Sequence, residues 1–399
     1  MKLSQHVKDE TSTAMTRLKV MDTWYTTDSD NYEHEMPIIH VTGRTTEGEW
    51  EHVEIDGFRP YFLVPETGVD AEMLDSLDKD DRVKTVMGGE KGMNDEDLLK
   101  IVLYRPWDIR ELRDVFDKTF EADVRFDDRF RIDKSITQWM EYPEETEGRV
   151  SHTEVSGVEV EDVVRPRICY FDIEVQQTDE GPPVVSKEGT EQARNNVTAI
   201  TAYDSYKEDY KVWVLIHPEW DSPSPFEEKD VHGSSRGDEP DEGVASSLDA
   251  RTFYEDRELL QSFVKYLTDR RFDVLTGWNS NNFDVPYIVN RCFERDVHSV
   301  YDISPTRQVD EMDGNGSWLN SDLKGVVCFD MLDGVRKTQI HELDSYSLKN
   351  VAKQMLDDTE KLDVEDIDDA WKTDPQKFVE YNRVDVEVVV DINKEVGIL

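Results

Sequence analysis

The sequence predicts two units: an α/β unit with a mixed sheet, and before it a mainly β unit of the α+β class. Three observations support this prediction. Between Leu18 and Pro65, apolar and polar residues alternate between Gly and Asp turns, which is typical of antiparallel strands. After Arg165, strand patterns first follow one another and then alternate with helical patterns. The 399 residues, 37% of them hydrophobic, are enough for two cores.

The first unit is expected over residues 18–140, after a polar tail, residues 1–17, that we expect to fray. Its clearest strand patterns are Ile38-Ile39-His40-Val41 and Tyr61-Phe62-Leu63-Val64, and a helix is expected over residues 106–120. Residues 141–164 are acidic and contain Gly and Ser, so we expect them to form a linker.

The second unit is expected over residues 165–397. Its first strand would place Ile168, Tyr170, Asp172 and Glu174 on one face. Residues 221–250 contain nine acidic and two basic residues with Pro, Ser and Gly, which predicts a disordered surface insertion. The remaining predicted elements are strands at 197–203, 210–216, 273–277 and 326–329, a hairpin around residues 313–316, and helices around 259–267, 285–293, 348–355 and 375–394.

The charge is strongly negative. Asp and Glu number 90 against 46 Lys and Arg, a net charge of −44, which does not fit an ordinary nucleic-acid-binding protein. We interpret it as adaptation to molar intracellular salt, as in halophilic archaea and their viruses. At about 1 M salt the Debye length is roughly 3 Å, so an acidic surface does not exclude a nucleic-acid substrate. Residues 100–134, with nine basic and nine acidic residues, are relatively basic; they predict either a phosphate-facing surface or a solvated helix.

Cysteines and apolar runs bear on the compartment. Cys169, Cys292 and Cys328 lie in apolar runs without metal-type spacing, which favours buried, reduced thiols. No apolar run approaches the ~20 residues of a membrane span, and the N-terminus lacks the apolar region of a signal peptide. We therefore expect a soluble cytoplasmic protein that does not bind a membrane.

Two carboxylates interrupt an otherwise apolar strand, Arg167-Ile168-Cys169-Tyr170-Phe171-Asp172-Ile173-Glu174-Val175. An acidic-x-acidic triplet has little weight in a chain this acidic, so the apolar flanks carry the argument. Burying carboxylates without a partner is unfavourable, and the strand period of two puts both on one face, where they can share a cation. The alternative is an edge strand with a solvated acidic face.

Two further segments carry polar residues in a defined order. Asn279 and Asp284 bracket a loop between a strand and a helix that opens with Val285-Pro286. Alone, they could be ordinary turn and N-cap residues. Tyr381 and Asp385 lie one helical turn apart, where the hydroxyl could orient a water molecule beside a carboxylate. A core tyrosine with a solvated aspartate is the alternative.

Together, DIE at 172, WNxxxFD at 278–284 and YxxxD at 381–385 resemble the ExoI, ExoII and ExoIII motifs of family B DNA polymerases. These motifs mark the 3′–5′ proofreading exonuclease domain, which has an RNase H-like fold of the DEDD class. Gly57-Phe58-Arg59-Pro60-Tyr61-Phe62 resembles the FRPY segment of the archaeal N-terminal domain, and residues 325–330 and 345–348 resemble intermediate exonuclease segments. The resemblance covers nearly all of residues 20–397.

The resemblance implies roles for individual residues. Asp172, Glu174 and Asp385 would bind one divalent cation, and Asp172 would bridge to a second that Asp284 supports. Tyr381 would orient the nucleophilic water. Asn279 and Phe283 would contact the terminal nucleotide, and Pro60 and Tyr61 would form part of a pocket for template uracil. Carboxylate ligands favour Mg²⁺ or Mn²⁺.

The resemblance also implies partners: the single-stranded 3′ end of DNA, primer-template DNA, a separate polymerase catalytic subunit and a sliding clamp. The sequence contains no SLYPS-like run, no fingers-type lysine helix and no DTDS, so we do not expect DNA synthesis from this chain alone. It could be a subunit of a split polymerase, the product of a truncated reading frame or an excised fragment. Two other functions stay open: a non-catalytic module that binds template and docks a polymerase subunit, and an independent repair or RNA-processing nuclease.

Overall fold

The structure, a computed structural model, describes residues 14–28, 36–144, 148–177, 193–220, 249–309, 323–339, 343–356 and 367–399. It divides into two compact units, residues 1–165 and 166–399. The predicted hairpin around residues 313–316 and nearly all of the predicted insertion at 221–250 lie outside the described residues; only the last two insertion residues, in a strand, are described.

The first unit is built mainly from strands. Its elements are β1 (Met15–Asp28), β2 (Met36–Thr45), β3 (Trp50–Asp56), β4 (Tyr61–Pro65), α1 (Ala71–Asp78), β5 (Val83–Lys91), β6 (Asp97–Leu103), α2 (Asp108–Leu112), α3 (Phe126–Asp133), β7 (Trp139–Pro143), β8 (Val150–Ser151) and β9 (Ser156–Val158). A six-stranded sheet has the order β8-β3-β2-β1-β7-β9, and β4, β6 and β5 form a three-stranded sheet. Alternate residues of β2 and β3, including Ile39, Val41 and Ile55, form the core of the larger sheet.

Three local predictions for the first unit need correction. Residues 15–17 of the predicted tail pair with β7 and belong to β1. The predicted linker, 141–164, contributes β8, β9 and the end of β7 to the sheet, because its apolar residues Val150 and Val155 are buried in the core. The helix predicted over 106–120 shortens to α2 and a 3₁₀ turn, since residue 116 is extended.

The second unit is of the α/β class. Its elements are β10 (Ile168–Val175), β11 (Val197–Asp204), β12 (Asp209–Leu215), β13 (Asp249–Phe253), α4 (Asp256–Arg270), β14 (Val274–Gly277), α5 (Asp284–Glu294), β15 (Val327–Asp330), α6 (Met331–Thr338), α7 (Leu348–Met355), α8 (Ile367–Thr373) and α9 (Pro375–Val396). The sheet order is β13-β12-β11-β10-β14-β15. β10, β11 and β12 pair antiparallel, whereas β13, β14 and β15 pair parallel to their neighbours, so the sheet is mixed as predicted.

The sheet of the second unit is apolar on both faces, and β10 lies in its interior. Cys169, Phe171 and Ile173 join the core that contains α4 and α5. Ile168 and Tyr170 join the opposite core, with α6, α7 and α9. The side-chain alternation along β10 therefore points Asp172 and Glu174 toward the α9 face. Among the helices of the described residues, none has the length and apolar character needed to cross a membrane.

A buried ion pair joins the two helices on the other face. Arg291 on α5 donates through Nε to Asp256 Oδ2 at 2.6 Å, and both side chains are nearly inaccessible. The same guanidinium also donates to the carbonyl oxygens of Ala193 and Arg194. A buried charge held this way depends strongly on its counter-charge.

We therefore expect Asp256→Asn to destabilise the second unit by about 3 kcal/mol, because it leaves the Arg291 charge buried without an anion. Urea-induced unfolding measures the loss. Glu258→Gln, on an exposed position of the same helix, is the matched control and should change stability little. Equal midpoints for the two variants would contradict this account of the pair.

Candidate active site

Two of the predicted carboxylates lie on β10. Asp172 is half-buried and Glu174 is 9% exposed, and both lie on the sheet face that α9 covers. Asp172 Oδ2 accepts a hydrogen bond of 2.7 Å from Nδ2 of Asn382, a completely buried residue of α9. The strand and the helix thus meet at Asp172 through a polar contact within a mostly apolar interface.

The helix α9 brings two more predicted residues to this place. Tyr381 and Asp385 lie one turn apart, and the Tyr381 hydroxyl is hydrogen-bonded to the Asp385 carboxylate. Burial raises the pKa of the Tyr381 phenol above its usual range, and neighbouring carboxylates raise it further. These are, in order of influence, Asp385, Glu174 and Asp172. Three of the four predicted carboxylates, Asp385, Glu174 and Asp172, therefore lie near Tyr381.

The fourth carboxylate, Asp284, comes from the first residue of α5 and is 3% exposed. Its Oδ1 accepts a hydrogen bond of 3.1 Å from the backbone N–H of Ile173, which lies between Asp172 and Glu174. Burial raises the pKa of Asp284 to about 7, and the charge of Asp330 adds to the rise. Among the described residues, no basic side chain contributes to the shift in the pKa of Asp284.

The four carboxylates are neighbours but do not form a single-ion cluster. Within the described part of the chain, no three of them place oxygen atoms within 4.8 Å of one another. The set predicted for one cation, Asp172, Glu174 and Asp385, is therefore more widely spaced than a single ion requires. Two cations about 3.5–4 Å apart need a wider arrangement, in which some carboxylates bind one ion and some the other.

The donor chemistry fits divalent cations such as Mg²⁺ or Mn²⁺. All four acidic side chains offer hard oxygen donors, and three of them are nearly buried. Asn382 Oδ1, on the amide that contacts Asp172, is buried and has no hydrogen-bond partner among the described residues. Burying several carboxylates close together is costly, and bound cations would offset that cost.

The loop between β14 and α5 carries Asn279 and Phe283. Asn279 adopts a left-handed backbone conformation with φ of 64°, which asparagine tolerates better than most residues. Its side-chain Oδ1 accepts from Asn282 Nδ2 at 3.0 Å. Phe283 is partly buried, with its ring centroid 5.4 Å from that of Tyr287. Both residues are thus at the entrance to the helix that begins with Asp284.

Asp330 holds this loop in place, a role that the sequence analysis did not identify. Its carboxylate accepts from the backbone N–H groups of Asn279 and Asn281, at 3.0 and 3.2 Å, and caps α6 through the N–H of Leu332 at 3.0 Å. Burial raises its pKa. An aspartate that ends an apolar strand just before a helix was the available signal, because this is the pattern of an N-cap.

Asn382 was also missed. It lies between Tyr381 and Asp385, and the signal was a polar residue at a position where helix periodicity predicts a core contact.

Pro60 and Tyr61 lie in the first unit, where both are buried. The Tyr61 hydroxyl donates to Asp133 at 2.9 Å, and its ring is contacted by Lys100 and Arg129, with cation-to-centroid distances of 3.7 and 4.9 Å. With 9% of the residue exposed, a base could reach Tyr61 only after these side chains move. The uracil pocket therefore stays a prediction.

The relatively basic window, residues 100–134, is largely neutralised internally. Arg125 pairs with Asp127 at 2.5 Å, and Arg129 pairs with Glu121 at 2.8 Å. An open groove of about 700 Å³ runs along α3, and its lining combines Arg125 and Arg131 with acidic residues. The phosphate-facing surface also stays a prediction.

Comparisons with known proteins agree with the family that the motifs predict. Residues 117–351 match the family model described as DNA polymerase family B, exonuclease domain. The DNA-directed DNA polymerase of Enterobacteria phage T4 is 29% identical over 216 residues, 52% of this chain and 24% of the phage protein. The DNA polymerase delta catalytic subunit of Dictyostelium discoideum is 24% identical over 393 residues, 80% of this chain and 33% of that protein.

A solved structure, the family B DNA polymerase from the hyperthermophilic archaeon Pyrobaculum calidifontis, superposes with a TM-score of 0.70 at 20% identity. The superposition covers 96% of this chain and 46% of that chain. The superposition confirms the predicted fold class. A mainly β domain of the α+β class comes first in the sequence, and an RNase H-like exonuclease domain with a mixed sheet follows it. The chain spans less than half the length of each of these three relatives.

The raised pKa of Asp284 has a consequence for stability. Because this carboxyl holds its proton more tightly in the folded chain than in the unfolded chain, stability falls as the pH rises toward about 7. Asp284→Asn keeps the acceptor for Ile173 N–H but cannot ionise. With a chelator present, we expect it to stabilise the chain by on the order of a few kcal/mol at pH 8 and by little at pH 4.

Thermal unfolding of both proteins across this pH range measures the difference, and taking the difference cancels the titration of groups that do not interact with Asp284. A constant gap between the two curves would show that Asp284 ionises normally.

Proposed function

Because the chain belongs to the exonuclease-domain family of the family B DNA polymerases, we propose that it removes nucleotides from the 3′ end of DNA, as the proofreading part of a DNA-directed DNA polymerase. The observation that carries this proposal is the meeting of β10, α5 and α9. Asn382 contacts Asp172, Tyr381 contacts Asp385, and Asp284 contacts the backbone between the two β10 carboxylates.

We assign the four carboxylates, Asp172, Glu174, Asp284 and Asp385, to the binding of two divalent cations, Mg²⁺ or Mn²⁺. When bound, such a pair would stabilise the attacking and leaving oxygens of an in-line displacement at the terminal phosphodiester. Asp172 is the best candidate to bridge the pair. It shares a face of β10 with Glu174, and Asn382 of α9 restrains one of its oxygens.

Tyr381 is proposed to orient the attacking water. Its raised pKa keeps the phenol protonated at any working pH, so the residue acts as a hydrogen-bonding group and does not act as a general base. The hydrogen bond to Asp385 sets the direction of the hydroxyl. Correct placement of the nucleophile is itself a large contribution to the rate of such a reaction.

Asn279 and Phe283 are proposed to position the terminal nucleotide. A loop held by Asp330 presents both residues just before Asp284. The amide of Asn279 can bond to a phosphate or base, and the partly buried ring of Phe283 offers a surface on which a base can stack.

We propose that the chain binds the single-stranded 3′ end of DNA and primer-template DNA, and that it works with a polymerase catalytic subunit and its sliding clamp. We propose that Pro60 and Tyr61 bind template uracil only in a conformation of the first unit in which the side chains around Tyr61 have moved away from its ring. The net charge of −44 makes molar salt the appropriate assay condition.

We expect Asp172→Ala together with Glu174→Ala to abolish Mg²⁺-dependent shortening of a 5′-labelled single-stranded DNA. The change removes the cation donors of β10, so the expected loss is at least about a thousandfold in rate. Gel analysis of a 5′-labelled strand also shows the direction of digestion.

Glu159→Ala with Glu161→Ala is the matched control, because it removes an exposed acidic-x-acidic pair and should leave the rate unchanged. Undiminished digestion by the Asp172 and Glu174 variant would refute the nuclease assignment. A wild-type chain with neither digestion nor Mn²⁺-linked stabilisation would favour the non-catalytic docking module. Faster digestion of RNA than of mispaired DNA would favour an independent RNA-processing nuclease.

We further expect Tyr381→Phe to lower kcat by about ten- to a hundredfold with little change in KM, since the ring stays and only the water-orienting hydroxyl is lost. Tyr266→Phe is the matched control. Tyr266 is buried, and its hydroxyl has no hydrogen-bond partner among the described residues. Steady-state kinetics on a short oligonucleotide would distinguish the two; equal kcat values would remove Tyr381 from the mechanism.

A further inference from the structure

Two histidines and a glutamate converge in the first unit. His40 on β2 lies opposite Glu54 on β3, and His52 is two residues before Glu54, so the three side chains share one face of the sheet. The opposite face carries the apolar core with Ile39 and Val53. One ligand atom from each of the three polar side chains lies within 4.8 Å of the others, which no other three His, Cys, Asp or Glu residues achieve among those the structure describes.

The histidine rings are held in a defined orientation. His40 Nδ1 lies 3.0 Å from His52 Nε2, and His40 Nε2 lies 2.7 Å from the hydroxyl oxygen of Thr26. The Trp24 ring stacks against both imidazoles, with centroid distances of 5.2 and 5.7 Å. When Nε2 of His40 carries the proton and donates to Thr26, the lone pair of Nδ1 points toward His52. A hydrogen bond from the ring nitrogen that does not bind the metal orients many metal-binding histidines.

We propose that His40, His52 and Glu54 bind a zinc ion, or a similar borderline divalent cation, and so join β2 to β3. Two imidazoles and one carboxylate form a donor set that suits Zn²⁺ and leaves a fourth position for water. At Zn–N distances of about 2.0–2.1 Å, a tetrahedral ion needs its two nitrogens roughly 3.3 Å apart. The observed 3.0 Å is therefore only a few tenths of an ångström short.

The charges around the three side chains are compatible with a cation. Arg149 lies beside Glu54, with Nε 3.1 Å from Oε2, and opposes the binding of a cation. Asp28 compensates for this charge, because its Oδ2 lies 2.8 Å from Arg149 Nη1. The two carboxylates, Glu54 and Asp28, outnumber the one guanidinium, so the charged groups around the histidines are net negative.

Without a metal, the same atoms would form a chain of hydrogen bonds from Thr26 through His40 to His52. The two interpretations differ in one measurable property: only a metal site loses affinity for Zn²⁺ when one imidazole is replaced. The proposed nuclease site consists of carboxylates from the other unit, so either proposal can fail without the other.

The test uses the full chain carrying Asp172→Ala and Glu174→Ala, which removes donors of the nuclease site. Isothermal titration with Zn²⁺ alone should show binding of one equivalent. Adding His52→Gln should weaken the binding by at least about tenfold, because the loss of a ligand costs no less than the loss of a group that orients a ligand. His298→Gln, at an exposed position, is the matched control and should leave the affinity unchanged.

Glu54→Gln is the second variant, in case His52→Gln does not fold; it too should weaken binding by at least about tenfold. Titration with Co²⁺ adds an independent observation, since a tetrahedral site with nitrogen donors gives intense visible absorption. Equal Zn²⁺ affinity in His298→Gln and in whichever ligand variant folds would overturn the proposal. So would a titration that detects no binding to the parent chain.

Discussion

The contact between β10 and α9 is the constraint on which the candidate active site depends. Apolar packing of Ile168 and Tyr170 against the valines of α9 presses the helix onto the sheet. Farther along the helix, Asn393 donates to the Tyr170 hydroxyl at 2.7 Å, which fixes the rotation of the helix on the strand. With the rotation fixed, Asn382 must face Asp172. A strand and a helix separated by about two hundred residues thus act as one support.

The same packing explains how carboxylates can be buried here at all. Each acidic side chain of the site belongs to a strand or helix whose apolar residues pack in one of the two cores. The burial of these apolar residues offsets the electrostatic cost of burying the carboxylates. A protein that brings like charges together at one site is less stable than the same fold would be without them. The raised pKa of Asp284 is a local sign of that strain.

Much of the second unit could be predicted from sequence because its signals are local. Alternation along residues 168–175 predicts which side chains face which core, and the Pro375 start of α9 follows from helix-start chemistry. The motif order predicts the family. The partners within the site could not be predicted in this way: Asn382 and Asp330 make contacts that depend on helix rotation and on loop geometry.

The first unit was harder to predict, and the reason is physical. The predicted linker is polar and acidic along most of its length, so composition argued against strands, yet Val150 and Val155 are enough to fix it to the sheet. Tertiary packing overrides weak local preference at such positions. The histidine cluster was invisible for a related reason: His40 and His52 come together only through the register of β2 on β3, which no spacing in the sequence encodes.

The hydrogen bonds of Asp330 connect the loop between β14 and α5 to the helix α6. One carboxylate accepts from two loop amides and from the first turn of α6, while Met331 and Val335 of α6 pack in the same core as α9. The loop therefore cannot shift by itself without losing hydrogen bonds in a buried place. A displacement of the loop is therefore transmitted through Asp330 and α6 to the helix layer that carries Asp385, so the loop and α9 are mechanically coupled.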